Sequence, residues 1–185
     1  MRVTRAILPL LCFLLLVPQA VQADPRISNF RVEVDGQRVL VSLQLREAFD
    51  RRFVERVESG LPTPILYRFR LLGNRKNWFD ERIQTATLET IAQHDAVARA
   101  YTILFKLDGE LIDSRRVRDL KGAEEAMTQI ARLPVFNLDA RLAGRRLLVR
   151  AQAELGSRTF LSFIPATVNT DWEESPKFRV PRPAS

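Results

Sequence analysis

Two periods alternate along this chain, and their order predicts its architecture. Residues 27–45 carry a period of two: "ISNFRVEV" sets Phe30, Val32 and Val34 against Arg31 and Glu33, and "RVLVSLQL" sets Val39, Val41, Leu43 and Leu45 against Ser42 and Gln44. Such alternation turns one face of a strand inward. Asp35-Gly36 lies between the runs, the dipeptide that most readily takes the positive φ angles of a type I′ turn, so the stretch predicts a β-hairpin. In "EAFDRRFVERVESG" the period lengthens. Phe49, Phe53, Val54 and Val57 share one helical face, while Asp50, Arg51, Arg52, Glu55, Arg56 and Glu58 occupy the other. Gly60 suits the left-handed position just past a helix, and Pro62 prevents its continuation.

From Pro64 the period of two returns, with Ile65, Tyr67, Phe69 and Leu71 alternating with Leu66, Arg68 and Arg70. A polar turn is expected at "GNRKN". "WFDERIQTATLETIAQ" then predicts a long strand with Trp78 and Phe79 at its start, "HDA" turns it back into "VARAYTILFKL", and "DGE" turns that into "LIDSRRV". "DLKGAEEAMTQIARLP" predicts a second helix, with Asp119 as N-cap, Ala123, Ala126, Met127, Ile130 and Ala131 as the buried stripe, and Pro134 as the stop. "RRLLVRAQAEL" predicts a strand with Leu147, Val149, Ala151 and Ala153 on one face. The closing "PATVNTDWEESPKFRVPRPAS" reads as loop, ending in a disordered "PRPAS". Seven to nine strands joined by short turns favour antiparallel pairing, since a parallel pair needs a crossover of about a dozen residues. The expected fold is mainly β within the α+β class: an antiparallel β-sandwich-like sheet with two inserted helices.

The first residues belong to neither pattern. Arg2 and Arg5 precede an apolar run from Ala6 to Val17, and Val21-Gln22-Ala23 then places small residues where a signal peptidase cuts. The run is too short to span a bilayer, which takes about 20 apolar residues. The expected organisation is a cleaved secretory signal at 1–23, with cleavage between Ala23 and Asp24, a single β-rich domain at 24–180 and a disordered tail at 181–185. The mature chain has no expected transmembrane helix and would be periplasmic.

Composition narrows the chemistry. Without its first 23 residues the chain keeps 162, with 27 basic against 22 acidic side chains, a net charge of +5. That balance suits a soluble mixed-charge surface, or attraction to an anionic envelope surface. Nucleic acid is excluded as a partner, because an exported protein rarely meets it. The sole cysteine, Cys12, leaves with the signal, so the mature chain has no disulfide, thiol nucleophile or thiolate metal site.

Candidate catalytic groups are few. His94 is the only histidine. A hydrolase would pair it with Asp95 and with Ser114 or Ser157, but "HD" sits where a turn is expected, and neighbours in a strand face opposite sides. No Gly-x-Ser-x-Gly elbow, phosphate-cradling loop or convergent metal-ligand set occurs. Asp80-Glu81 and Glu173-Glu174, with Asp171 nearby, lie beside Trp78 and Trp172, as glycosidase carboxylates lie beside sugar-stacking aromatics. The same acids also serve to balance local arginines. No catalytic residue, cofactor or metal is assigned. The remaining candidates are for partner binding: Arg75, Lys76, Trp78, Phe79 and Trp172, where arginine beside aromatic side chains has the composition of a protein-binding hot spot, or of a core cluster.

"VESGLPTPILYRFRLL", "NWFDERI", "LKGAEEAMTQIARL" and "LSFIPATVNTDWEESPKFRV", in this order, resemble the DUF4390 family of exported bacterial proteins of unknown function. The carrying marks are Ser59-Gly60-Leu61-Pro62 closing the first helix, a strand leading to Trp78 and Asp80, and an aromatic closing segment around Trp172. The resemblance covers residues 27–180. It implies an envelope location in a Gram-negative-type bacterium and no catalytic residues. It also implies an association with membrane sensor histidine kinases, through gene neighbourhood. The expectation is therefore an exported, non-enzymatic envelope protein that binds a protein partner or serves as a signalling accessory. The alternative is a periplasmic glycan- or lipid-binding protein or a carboxylate-dependent hydrolase.

Overall fold

The computed structural model describes residues 23–73, 81–160 and 164–181, except for the side chains of 157–160 and 164–166. The expected signal, the "NRKN" turn, Trp78, Phe79 and Asp80, and the last four residues lie outside this description. Ala23 and Asp24 lie within it and are exposed.

Eleven strands and two α-helices are described. In chain order they are β1 (Arg26–Asp35), β2 (Arg38–Arg46), α1 (Arg51–Glu58), β3 (Thr63–Gly73), β4 (Glu81–Asp95), β5 (Ala100–Leu107), β6 (Glu110–Val117), α2 (Leu120–Thr128), β7 (Gln129–Asn137), β8 (Arg146–Phe160), β9 (Ile164–Asn169), β10 (Glu173–Glu174) and β11 (Phe178–Arg179), with a 3₁₀ turn at Ala140–Leu142 between β7 and β8. They form two antiparallel sheets. The small one runs β1-β2-β7 and the large one β10-β8-β3-β4-β5-β6, with β9 and β11 also pairing with β8. The inner faces of both sheets and the buried faces of both helices enclose one hydrophobic core. This is the mainly β, sandwich-like architecture with two helices that the alternating periods predict.

The inner face of the large sheet shows why its residue sizes matter. Tyr67 and Phe69 on β3 are fully buried, and each lies opposite an alanine on β8, Ala153 and Ala151. On the other side Phe69 faces Ala86 of β4. Small partners flanking large aromatic rings keep the layer at the density of a close-packed interior. The Tyr67 hydroxyl reaches across to donate to the Met127 carbonyl at 2.7 Å, tying β3 to α2. The second helix starts as predicted, after Asp119, whereas the first begins only at Arg51: Phe49 and Asp50, expected on its two faces, precede it, and Asp50 is its N-cap. The Asp50 carboxylate caps Phe53 N–H and the Asp119 carboxylate caps Gly122 N–H, each at 2.7 Å. Among the described residues no helix is long and apolar enough to cross a membrane.

Several local expectations are corrected. The first hairpin turns on Gly36-Gln37, because Asp35 already pairs with Arg38. Only Gly36 of the two has positive φ, the II′ pattern, which asks for glycine at its first position. The type I′ turn occurs instead at Asp108-Gly109, where both φ angles are positive. The second helix stops at Thr128, so Ala123, Ala126 and Met127 of the predicted stripe lie on it, all buried, while the rest of the stripe does not. Ile130 and Ala131 belong to β7, where Ile130 pairs with Leu43 and is buried while Ala131 is exposed. Pairing with β2 and burial of Ile130, Val135 and Phe136 override the helix preference of the alanine-rich run. Pro134 lies within β7 rather than stopping a helix, and β7 is an edge strand, where proline costs no ladder bond. The closing segment is not a loop: β9, β10 and β11 all pair with β8.

Candidate functional site

Because Phe69 and Leu71 point into the core, Arg70 between them points to the outer face of the large sheet. By the same alternation Arg150, between buried Val149 and Ala151, points outward beside it, and the two arginines are in register across β3 and β8. Trp172 arrives from the chain's last segment. Its ring lies beneath the Arg70 guanidinium, 4.1 Å from the cation's central carbon to the ring centroid, a cation–π distance. Glu174 accepts from Arg150 Nε at 2.6 Å and from its Nη2, and Glu154 pairs with Arg68 at 2.6 Å. Arg70 has no carboxylate partner among the described residues.

Two hydroxyls fix Trp172 in place. Thr170 N–H donates to the Ala153 carbonyl at 2.9 Å, and Thr170 Oγ1 accepts from Ala153 N–H at 3.0 Å. Ser175 repeats the arrangement on Val149, at 2.9 Å and 3.0 Å. Both hydroxyls are buried and pass their own protons on, to the carbonyls of Asp171 and Pro176. The segment bearing Trp172 is thus stapled to β8 on either side of the ring.

Of the predicted binding residues, the structure places Trp172 alone. It is half-buried on the sheet's outer face rather than in the core. Arg75, Lys76, Trp78 and Phe79 lie outside the described residues. Sequence reasoning missed Arg70, Arg150, Thr170 and Ser175. The alternation of β3 and of β8 marks both arginines as outward, but nothing in the sequence says that these strands are neighbours.

The described glutamates of the two candidate acid pairs are engaged with cations or solvent. Glu174 holds Arg150 and Glu173 is exposed. Glu81 bonds Arg145 at 3.0 Å. His94 is not in a turn: it pairs with Tyr101 across β4 and β5, and the turn follows at 96–99. Its ring stacks on Tyr101 at 4.5 Å, with Nδ1 3.3 Å from the Glu58 carbonyl at the end of α1. The Asp95 carboxylate accepts from Ala98 and Val97 N–H, which holds its pKa below the usual range. Asp95 therefore shapes the turn and does not orient the imidazole. The Ser114 N–H is taken by the Asp113 carboxylate on β6, and the Ser157 side chain lies outside the description.

A family model, "Domain of unknown function (DUF4390)", matches residues 22–175. The chain belongs to the DUF4390 family. The match spans β1 to β10 and includes Arg70, Arg150, Thr170 and Trp172, so the described outer face of this DUF4390 chain lies within the family's own domain. Comparison with curated proteins and with solved structures returned no match.

Proposed function

We propose that this protein is an exported, non-enzymatic envelope module that docks a protein partner on the outer face of its large sheet. The observation that carries the reading is the Arg70–Trp172 stack. A half-buried tryptophan, flanked by two buried hydroxyls bonded to β8, stacks on an arginine of β3 that has no carboxylate partner among the described residues. Trp and Arg are the residue types that dominate binding energy at protein interfaces, and rigid presentation lowers the ordering cost of docking. Export and a periplasmic location rest on the leader at 1–23. The family resemblance points to a membrane sensor histidine kinase as the class of partner. The hydrolytic alternative draws less support, since Glu174 is committed to Arg150.

Cross-linking a tagged copy in its own host, followed by mass spectrometry, tests the reading. One envelope protein should be recovered repeatedly from the native chain and lost from Trp172→Ala. Equal recovery from both, or recovery of no specific protein, would overturn it. The recovered chain should begin at Asp24, and an intact Met1 would refute cleavage.

A further inference from the structure

Arginines stand opposite arginines twice on the same face. Arg70 and Arg150 are in register across β3 and β8, and Arg146 and Arg179 across β8 and β11. Between these pairs Leu72 faces Leu148, both buried. Like charges directly opposite on neighbouring strands repel, and such pairs are unfavourable unless something offsets them. Arg150 has Glu174 and Arg70 has the Trp172 ring. Arg146 and Arg179 are both exposed, and neither has an ion pair among the described residues. Four guanidinium groups thus share one face, with a single carboxylate among their partners.

We propose that this face takes an acidic segment of the partner protein, with one carboxylate seated at Arg70 and Arg150 and another at Arg146 and Arg179. This rests on the docking reading above and names the chemistry of what docks. A guanidinium presents a planar fork that holds a carboxylate with two hydrogen bonds. Arg70 is already oriented for this by Trp172, whose ring occupies one face of the cation and leaves its edge free. Arg146 and Arg150 are four residues apart on β8, which at about 3.3 Å per residue sets the two seats about 13 Å apart. An extended chain with carboxylates four residues apart matches that span. Glu154 and Glu174 interrupt the positive field. A uniformly anionic membrane would meet these acids head-on, whereas a peptide with discrete carboxylates passes between them.

The probe is deca-glutamate, titrated against the full-length chain carrying Trp78→Phe so that Trp172 alone emits. Saturable change in Trp172 emission is expected with deca-glutamate and none with deca-glutamine. Affinity should fall at least about tenfold between ionic strengths of about 0.01 M and 0.15 M, as the screening length shortens from about 30 Å to 8 Å. Arg70→Gln with Arg150→Gln should weaken binding by a similar factor. Arg146→Glu with Arg179→Glu, both at exposed positions, supplies a second variant that leaves the Trp172 neighbourhood intact, and it too should weaken binding. No saturable change, an equal response to deca-glutamine, or unaltered affinity in both double variants would overturn the proposal. So would a response to phosphatidylglycerol vesicles alone, which would assign the face to lipid. In the host, a partner captured by Arg70→Gln/Arg150→Gln but lost from Trp172→Ala would overturn the acidic segment and leave the docking reading standing. A partner lost from neither variant would overturn the docking reading itself.

Discussion

Tyr67 shows how much one polar atom can decide inside this core. Its ring is fully buried, and burial pushes its pKa far above that of a free tyrosine, which favours the protonated hydroxyl, a donor. That donor meets the Met127 carbonyl at 2.7 Å. Tyr67→Phe removes it and strands the carbonyl between sheet and helix, at an expected cost of about 1–3 kcal/mol. Urea unfolding of the two chains measures the difference, and an unchanged midpoint would show that the bond contributes nothing net. The burial of Tyr67 was legible from the alternation of Ile65, Tyr67, Phe69 and Leu71. Its hydrogen-bond partner, 60 residues away, was not. Trp172 illustrates the same division: the sequence marks a tryptophan among acids, while the cation beneath which it lies comes from a strand a hundred residues earlier.

At the scale of elements, local chemistry was legible where it had no competitor. The caps at Asp119 and Gly60, the turn at Asp108-Gly109 and the first hairpin follow from residues adjacent in sequence. The end of α2 does not, because Gln129 to Asn137 is decided by β2, which offers Ile130 and Leu133 ladder partners in Leu43 and Val41. The edge strand β6 carries devices that a periodicity does not reveal. It has a register shift opposite Phe105 and Lys106, Arg115 placed over the Phe105 ring, and a Ser114 N–H occupied by the Asp113 carboxylate at 2.8 Å. Bulges and inward charges are how exposed edges avoid pairing with other chains. Leu111 and Ile112 are exposed on this strand, so the protection has work to do. Asp113→Ala with Arg115→Val frees the N–H and removes the charge from the core side. The double variant is expected to self-associate through β6, visible as concentration-dependent growth in light scattering at concentrations where the native chain shows none. Absence of growth would mean that the twist of the edge suffices.

For the molecule as a whole, the decisive pairings are those between segments far apart in the chain, β3 with β8 and β2 with β7, and hydrophobic periodicity names faces without naming neighbours. The last segment closes the fold and carries the site at once. Thr170 and Ser175 each donate an N–H to the carbonyl, and accept with the hydroxyl from the N–H, of a single β8 residue, the two being four positions apart on that strand, with Trp172 between the hydroxyls in the chain. Thr170→Val and Ser175→Ala keep the shape and remove the acceptors, leaving Ala153 N–H and Val149 N–H buried without partners. Each should cost about 1–3 kcal/mol, and the two should nearly add, since about 13 Å of strand separates them. At about 2–4 °C per kcal/mol for a chain of this size, the double variant should melt well below the native protein. The site should respond first. With its staples gone, Trp172 loses its fixed place under Arg70, so its emission should shift red, and partner capture should weaken, at temperatures where far-UV dichroism is still native. A fall in melting temperature with emission and capture unchanged would assign the hydroxyls to stability alone. Loss of capture ahead of unfolding would show that the closing strands hold the site in place as well as the sheet.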